Sequence, residues 1–147
     1  MKKSILLLIL LVCLSACSGS KGPKDSKLAY YLEIKDALVA TDGTKAQALA
    51  KDFLVGLDNE QMLTYVQRIS ASEDVRVQRE AFQELSKVML TFVEENGSDV
   101  TLYKQYCPMA FHSRGAFWLS AEEQVMNPYF GSLMLTCGSV EETIAAQ

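Results

Sequence analysis

The sequence predicts a mainly α protein: an antiparallel helical bundle of about four helices, then an irregular C-terminal segment containing short strands and a short final helix. Two observations carry this expectation. Between Ser26 and Asn96 apolar residues recur at i, i+3 and i+4, the period of a helix with one buried face. After Gly97 that period stops, and Gly, Pro and Asn turn signals replace it. Each helix offers one apolar stripe and the connections are short, so packing the stripes together is the simplest way to bury them.

The elements follow in order. Ser26 caps a first helix carrying Leu28, Tyr31, Leu32, Leu38 and Val39 on one face. Thr41-Asp42-Gly43 breaks it. Thr44 caps a second, with Ala46, Leu49, Ala50, Phe53, Leu54 and Leu57. Asp58 opens a third, with Met62, Leu63, Val66 and Ile69. Ser70-Ala71-Ser72-Glu73 has capping-box spacing and starts a long fourth helix. Its stripe is Val75, Phe82, Leu85, Met89 and Phe92, and Asn96-Gly97 closes it. Arg76, Arg79 and Glu80 read as its solvated face. Beyond it, Val100 to Tyr106 and Ala116 to Leu119 are candidate strands, and Asn127-Pro128 and Tyr129-Phe130-Gly131 are turns. Ser139 is expected to cap the final helix, Val140 to Ala145.

The N-terminus carries an address. Lys2 and Lys3 precede an apolar run, Ile5 to Leu14, too short to span a bilayer as a mature helix. It ends in Leu14-Ser15-Ala16-Cys17, a lipobox pattern. Residues 1–16 therefore read as a lipoprotein signal peptide, residues 17–25 as a lipidated Cys17 and flexible tether, and residues 26–147 as one domain. The expected location is the bacterial cell envelope. Ser18, where an acid is absent, points to the periplasmic face of the outer membrane. Loss of Lys2 and Lys3 makes the formal charge of −4 more negative by two, which argues against a nucleic-acid partner.

Processing leaves Cys107 and Cys137 as the free cysteines, with Cys13 removed and Cys17 blocked. An even pair in an exported protein is read first as a disulfide, which would stabilise by about 3–4 kcal/mol on the chain-entropy model. A metal-binding dithiol and two separate buried thiols are the other readings. Met109, Met126 and Met134 lie outside any helical stripe, whereas Met62 and Met89 lie on stripes and read as core. Thiolate and thioether select soft ions such as Cu(I). His112 is the lone imidazole, and nothing in the sequence identifies a group to orient it for nucleophilic catalysis. There is no Cys-x-x-Cys, no Gly-rich phosphate loop and no Gly-x-Ser-x-Gly elbow, so no enzyme is expected. Phe117, Trp118, Tyr129 and Phe130 form either a binding surface or, by default, the local core of the irregular segment.

A set of residues also resembles a known family. Tyr31-Leu32, Lys35-Asp36-Ala37-Leu38 and Asp42 come first, then Gln78-Arg79-Glu80 with Phe82, Leu85 and Ser86. They are followed by Cys107-Pro108-Met109-Ala110, Gly115-Ala116-Phe117-Trp118-Leu119-Ser120, Asn127-Pro128-Tyr129-Phe130-Gly131 and Met134-Leu135-Thr136-Cys137-Gly138. Over about residues 28–145 these are similar to a bacterial envelope family catalogued as domain of unknown function 3347. The resemblance implies a domain found alone in lipoproteins, or fused to the periplasmic adaptors of heavy-metal efflux pumps of the copper/silver type. Cys107-Pro108-Met109 is also similar to a short metal-binding motif of such adaptors, but Ala110 stands where that motif has His. By resemblance the metal ligands are Cys107, Met109, Met134 and Cys137.

The expected function is a lipid-anchored envelope domain that binds a soft metal ion, Cu(I), or assists a heavy-metal efflux system. The alternative is a disulfide-stapled, non-enzymatic interaction module that docks an envelope protein partner. Anchoring is testable separately. Cys17→Ser should release the protein from membranes or leave the signal uncleaved. A variant that is cut correctly and still fractionates with membranes would show that lipid is not the anchor.

Overall fold

A computed structural model describes residues 22–147; the signal-peptide and Cys17 expectations lie outside those residues. Four helices of more than two turns come first: α1 (Ser26–Val39), α2 (Gly43–Phe53), α3 (Glu60–Ser70) and α4 (Val75–Asn96). Then follow β1 (Leu102–Cys107), a single helical turn α5 (Ala110–Ser113), β2 (Ala116–Ser120), a 3₁₀ turn (Gly131–Leu133) and β3 (Ser139–Ile144).

Each long helix starts at a carboxylate or amide side chain. Asp25 accepts hydrogen bonds from the Lys27 and Leu28 N–H groups. Asp42 accepts from Lys45, Asn59 from Met62, and Asp74 from Arg76. These caps correct the expected Ser26, Thr44, Asp58 and Ser70 starts. The reason is local: an Asp or Asn lies within a few residues of each expected start, and its oxygen reaches the free N–H groups at least as well. Ser72 takes a lesser role and accepts from the Asp74 N–H. Gly97 ends α4 with φ +75°, as the Asn96-Gly97 signal predicts.

The helical stripes do pack into one core. Phe82, Leu85, Met62 and Met89 are fully buried, with Val66 and Ile69 beside them. Val75 and Phe92 lie at its margin. α1 is the most enclosed helix, with only Glu33 and Asp36 exposed between Leu28 and Leu38. It packs against α2, α4 and β2. Being covered from several directions, it buries Ile34, Ala37 and even Lys35, which a one-face stripe does not anticipate.

The C-terminal segment is more regular than expected. β1 is the centre of a three-stranded antiparallel sheet ordered β2-β1-β3. The two expected strands are present as β1 and β2. The expected final helix over Val140–Ala145 is not: Ser139–Ile144 is a strand, with Leu102 opposite Ile144 and Tyr106 opposite Ser139. Val140, Thr143 and Ile144 are β-branched and suit a pleated surface. The pairing also sets Lys104 against Glu142, 3.9 Å apart. A cap-like Ser139 was outweighed by a partner strand some thirty positions away.

Phe82 stacks on Tyr31 with ring centroids 4.9 Å apart and tilts against Tyr129. Phe82→Ala should therefore cost about 3–5 kcal/mol and lower the melting temperature sharply. Gln83→Ala, on the half-buried flank of the same helix, should change it little. Thermal melts that shift equally would refute this phase for α4.

Candidate functional site

The site is built by strand pairing. Cys107 is the last residue of β1, fully buried, opposite Ala116 of β2. On the other side of β1, Tyr106 is opposite Ser139. Continuing that register by one residue brings Gly138 and Cys137 alongside Cys107. The two cysteine sulfurs lie 2.7 Å apart.

Gly138 makes the approach possible. Its φ is +137°, and a Cβ there would lie 2.7 Å from the Tyr106 carbonyl oxygen and 3.2 Å from the Trp118 ring. Asn127 fixes the same stretch from behind. Its side-chain amide donates to the Cys137 carbonyl at 2.7 Å, and its carbonyl oxygen accepts from the Tyr129 and Phe130 N–H groups. Its backbone N–H donates to Leu135 at 2.7 Å. Asn127 is fully buried, so a residue read from sequence as a turn signal holds one of the cysteines in place.

The pair is asymmetric. Cys107 belongs to the core with Trp118 and Tyr129, whereas Cys137 is half-buried on an irregular stretch. The Cys137 thiol is pushed above the usual range, first by its hydrogen bond with Cys107, then by burial and by the neighbouring charge. A hydrogen bond from the Met109 backbone N–H pulls the other way. Two adjacent sulfurs thus resist losing both protons.

Met109 is brought to the site by its backbone contact and is 51 % exposed. Met134 is half-buried, and its carbonyl accepts from the Cys137 N–H at 3.1 Å. Met126 is half-buried on the preceding loop. His112 is exposed. Among the described residues, no three of His, Cys, Asp and Glu converge in a way that would hold a metal ion. A soft-ion site here would rest on the two thiols with a thioether.

Directly after Met109 the backbone turns left-handed at three consecutive non-glycine residues: Phe111 (φ +51°), His112 (φ +59°) and Ser113 (φ +61°). Such residues each cost about 1–2 kcal/mol. The turn is held by Ser113 N–H to the Met109 carbonyl and Gly115 N–H to the Ala110 carbonyl. The Phe111 ring also packs edge-on against Tyr129 at 5.1 Å.

Three polar clasps seat the intervening loop. Lys35 is 2 % exposed, and its ammonium lies 2.8 Å from Glu122, 2.9 Å from Asp36 and 3.3 Å from Ser120 Oγ. Burial pushes the Glu122 carboxyl up, but the hydrogen bonds from Lys35 and Ser120 outweigh it and hold the group below its usual range. The Gln105 amide donates to the carbonyls of Glu122, Glu123 and Gln124. Arg79, expected on a solvated face, is half-buried and corrects that reading. It donates to the carbonyls of Pro128 and Leu38 and to Thr41 Oγ1. Of the four aromatic residues, Trp118 and Tyr129 are in the core and Phe130 packs against it, whereas Phe117 is half-buried with the Lys104 ammonium 5.3 Å from its ring. Trp118 is fully buried and meets Tyr129 edge-on at 5.8 Å. Tyr129 donates to the Phe117 carbonyl at 2.5 Å.

A family model described as Protein of unknown function (DUF3347) matches residues 28–101. The matched part runs from α1 to the residue before β1, so both cysteines lie outside it. No curated protein and no solved structure matches.

Gly138→Ala tests the close approach. The added methyl meets the Tyr106 carbonyl and the φ suits an L side chain poorly, at a cost of about 1–3 kcal/mol. The melting temperature should fall. The fraction of Cys107–Cys137 crosslink formed under mild oxidation, read by non-reducing peptide mass spectrometry, should also fall. An unchanged crosslink yield would show that Gly138 does not set the sulfur positions.

Proposed function

The chain belongs to the DUF3347 family, and on that premise we propose that it is a non-enzymatic, lipid-anchored envelope domain that binds Cu(I), or assists a heavy-metal efflux system. The anchor is Cys17, and the location is the periplasmic face of the outer membrane. The four helices, joined by short connections around one core, form an antiparallel bundle that carries the site.

The observation that supports this reading is the meeting of Cys107 and Cys137, with the Met109 backbone in contact with Cys137. The donor set fits a soft cation: two sulfurs that become thiolates, with a thioether from Met109 or Met134 to complete it. The copper is cargo, and the protein's part is to hold the donors and keep water from the buried side. Two ligands around one ion stand further apart than 2.7 Å, so loading requires the Cys137 stretch to give, and that stretch lacks regular secondary structure.

The same closeness favours a second reading, in which the pair is oxidised and staples the 107–137 loop. The domain is then an interaction module that docks an envelope protein. Thiol status decides between the two.

The test is a Cu(I) competition titration on the domain lacking residues 1–17, reduced and oxidised, with free thiols counted first. The reduced form should bind one Cu(I). Affinity should fall as pH drops, because binding needs thiolates and the Cys137 pKa is raised, leaving its sulfur protonated over a wider pH range. Replacing both cysteines with Ser should abolish binding, and Met62→Leu, in the core, should leave it intact. No competition by the reduced form, with two thiols missing from the untreated protein, would establish the stapled module instead.

A further inference from the structure

We propose that Cys137 is the entry thiol of the pair and Cys107 the anchoring one: a Cu(I) ion carried by a small thiol is captured first at Cys137 and then shared with Cys107. This deepens the soft-metal reading and rests on it. The two sulfurs touch, but the routes to them differ. Cys107 ends the central strand, with β2 on one side and β3 on the other, and none of its surface is exposed. Reaching it means moving the residues that cover it, a local opening of paired backbone. Cys137 is half-buried and lies outside any helix or strand, so uncovering its sulfur breaks no strand pair.

The rim of Cys137 also indicates what arrives. Met109 stands beside it half-exposed, Met134 is hydrogen-bonded to its backbone, and Leu133 is 82 % exposed one residue further back. These residues carry no charge. A hard, strongly hydrated cation would gain little from them, while thioethers and a thiol suit a soft ion delivered by another thiol.

The capture step is a ligand exchange. The bond between Cu(I) and the carrier sulfur breaks as a bond to Cys137 Sγ forms. The Cys137 proton leaves with the carrier as its free thiol. A second exchange does the same at Cys107. The copper's bond to a second carrier sulfur breaks as the bond to Cys107 Sγ forms, and the Cys107 proton leaves with that carrier as its free thiol. Copper stays in the same oxidation state throughout, so no oxidant or reductant is needed.

The first measurement needs neither metal nor mutation. The full chain, reduced, is treated with iodoacetamide, and modification of each cysteine is followed by peptide mass spectrometry. Cys137 should be alkylated at least about tenfold faster than Cys107, whose reaction waits on opening. Equal rates, or Cys107 first, would overturn the assignment. In the second, Cu(I) is offered as its glutathione complex. Cys137→Ser should slow initial uptake by at least about tenfold, whereas Cys107→Ser should mainly speed release. The opposite pattern would also overturn it. If the reduced protein takes up no copper, the soft-metal reading fails, and the order of alkylation still decides which thiol is the accessible one.

Discussion

The Tyr31 hydroxyl is the point at which helices and sheet are joined. It lies 2.8 Å from Ser86 Oγ on α4 and accepts the Leu119 N–H of β2 at 3.0 Å. Ser86 in turn reaches the Phe82 carbonyl within its own helix. The phenol is fully buried, and burial pushes its pKa well up, so it stays a neutral bridge. A buried polar group is tolerated only when its partners are in place. The position of β2 against α1 and α4 is therefore constrained by direction as well as by apolar contact. The ring adds a second constraint by stacking on Phe82, which itself meets Tyr129.

From that joint the order of the sheet passes to the cysteines. β2 is held by the helices, β1 pairs with β2, and β3 pairs with β1. Cys107 sits on the strand two steps from Tyr31 in this chain of contacts, and Cys137 leads into the strand three steps away. A register slip of one residue anywhere along it would turn a side chain to the opposite face and part the sulfurs. The irregular bulge between Lys104 and Gln105 lies in the β1–β3 pairing, so the register that matters is the one after it, at Tyr106 and Ser139. The loop from Ala121 to Gly138 contributes little regular structure of its own. Its place is fixed from outside by Lys35, Gln105 and Arg79, three side chains from three different elements.

The two proposed uses of the sulfur pair differ in what they ask of this scaffold. A staple asks it to be rigid, since the sulfurs are already adjacent. A soft-metal site asks the Cys137 side to yield while the Cys107 side stays fixed. The distribution of order suits the second demand: Cys107 is fully buried on a paired strand, and Cys137 lies on a stretch held mainly through Asn127. The left-handed turn at Phe111, His112 and Ser113 adds a strained element beside Met109, and strain of that kind persists only where the surroundings impose it. Here the imposing contacts are the Phe111–Tyr129 packing and the hydrogen bonds that close the turn.

The four helices were legible in the sequence because each writes its apolar face at a local period, and Gly97 marks where the last one ends. Their caps were legible to within a few residues, since Asp, Asn, Ser and Thr compete for the same free N–H groups over short distances. β1 and β2 were visible as short apolar runs. β3 was not: Ser139 followed by Val-Glu-Glu-Thr-Ile carries a cap and two acids, and only its pairing with β1 makes it a strand. The burial of Lys35 and Arg79 is hidden for the same reason, since a charge reads as exposed until its distant partners are known. The sequence by itself determined that two cysteines and nearby methionines fall in the one region without helical period. An even cysteine pair already suggests that the two sulfurs meet; how they meet was settled by the tertiary structure, because it depends on strand register and on the missing side chain of Gly138, both long-range facts that no local pattern records.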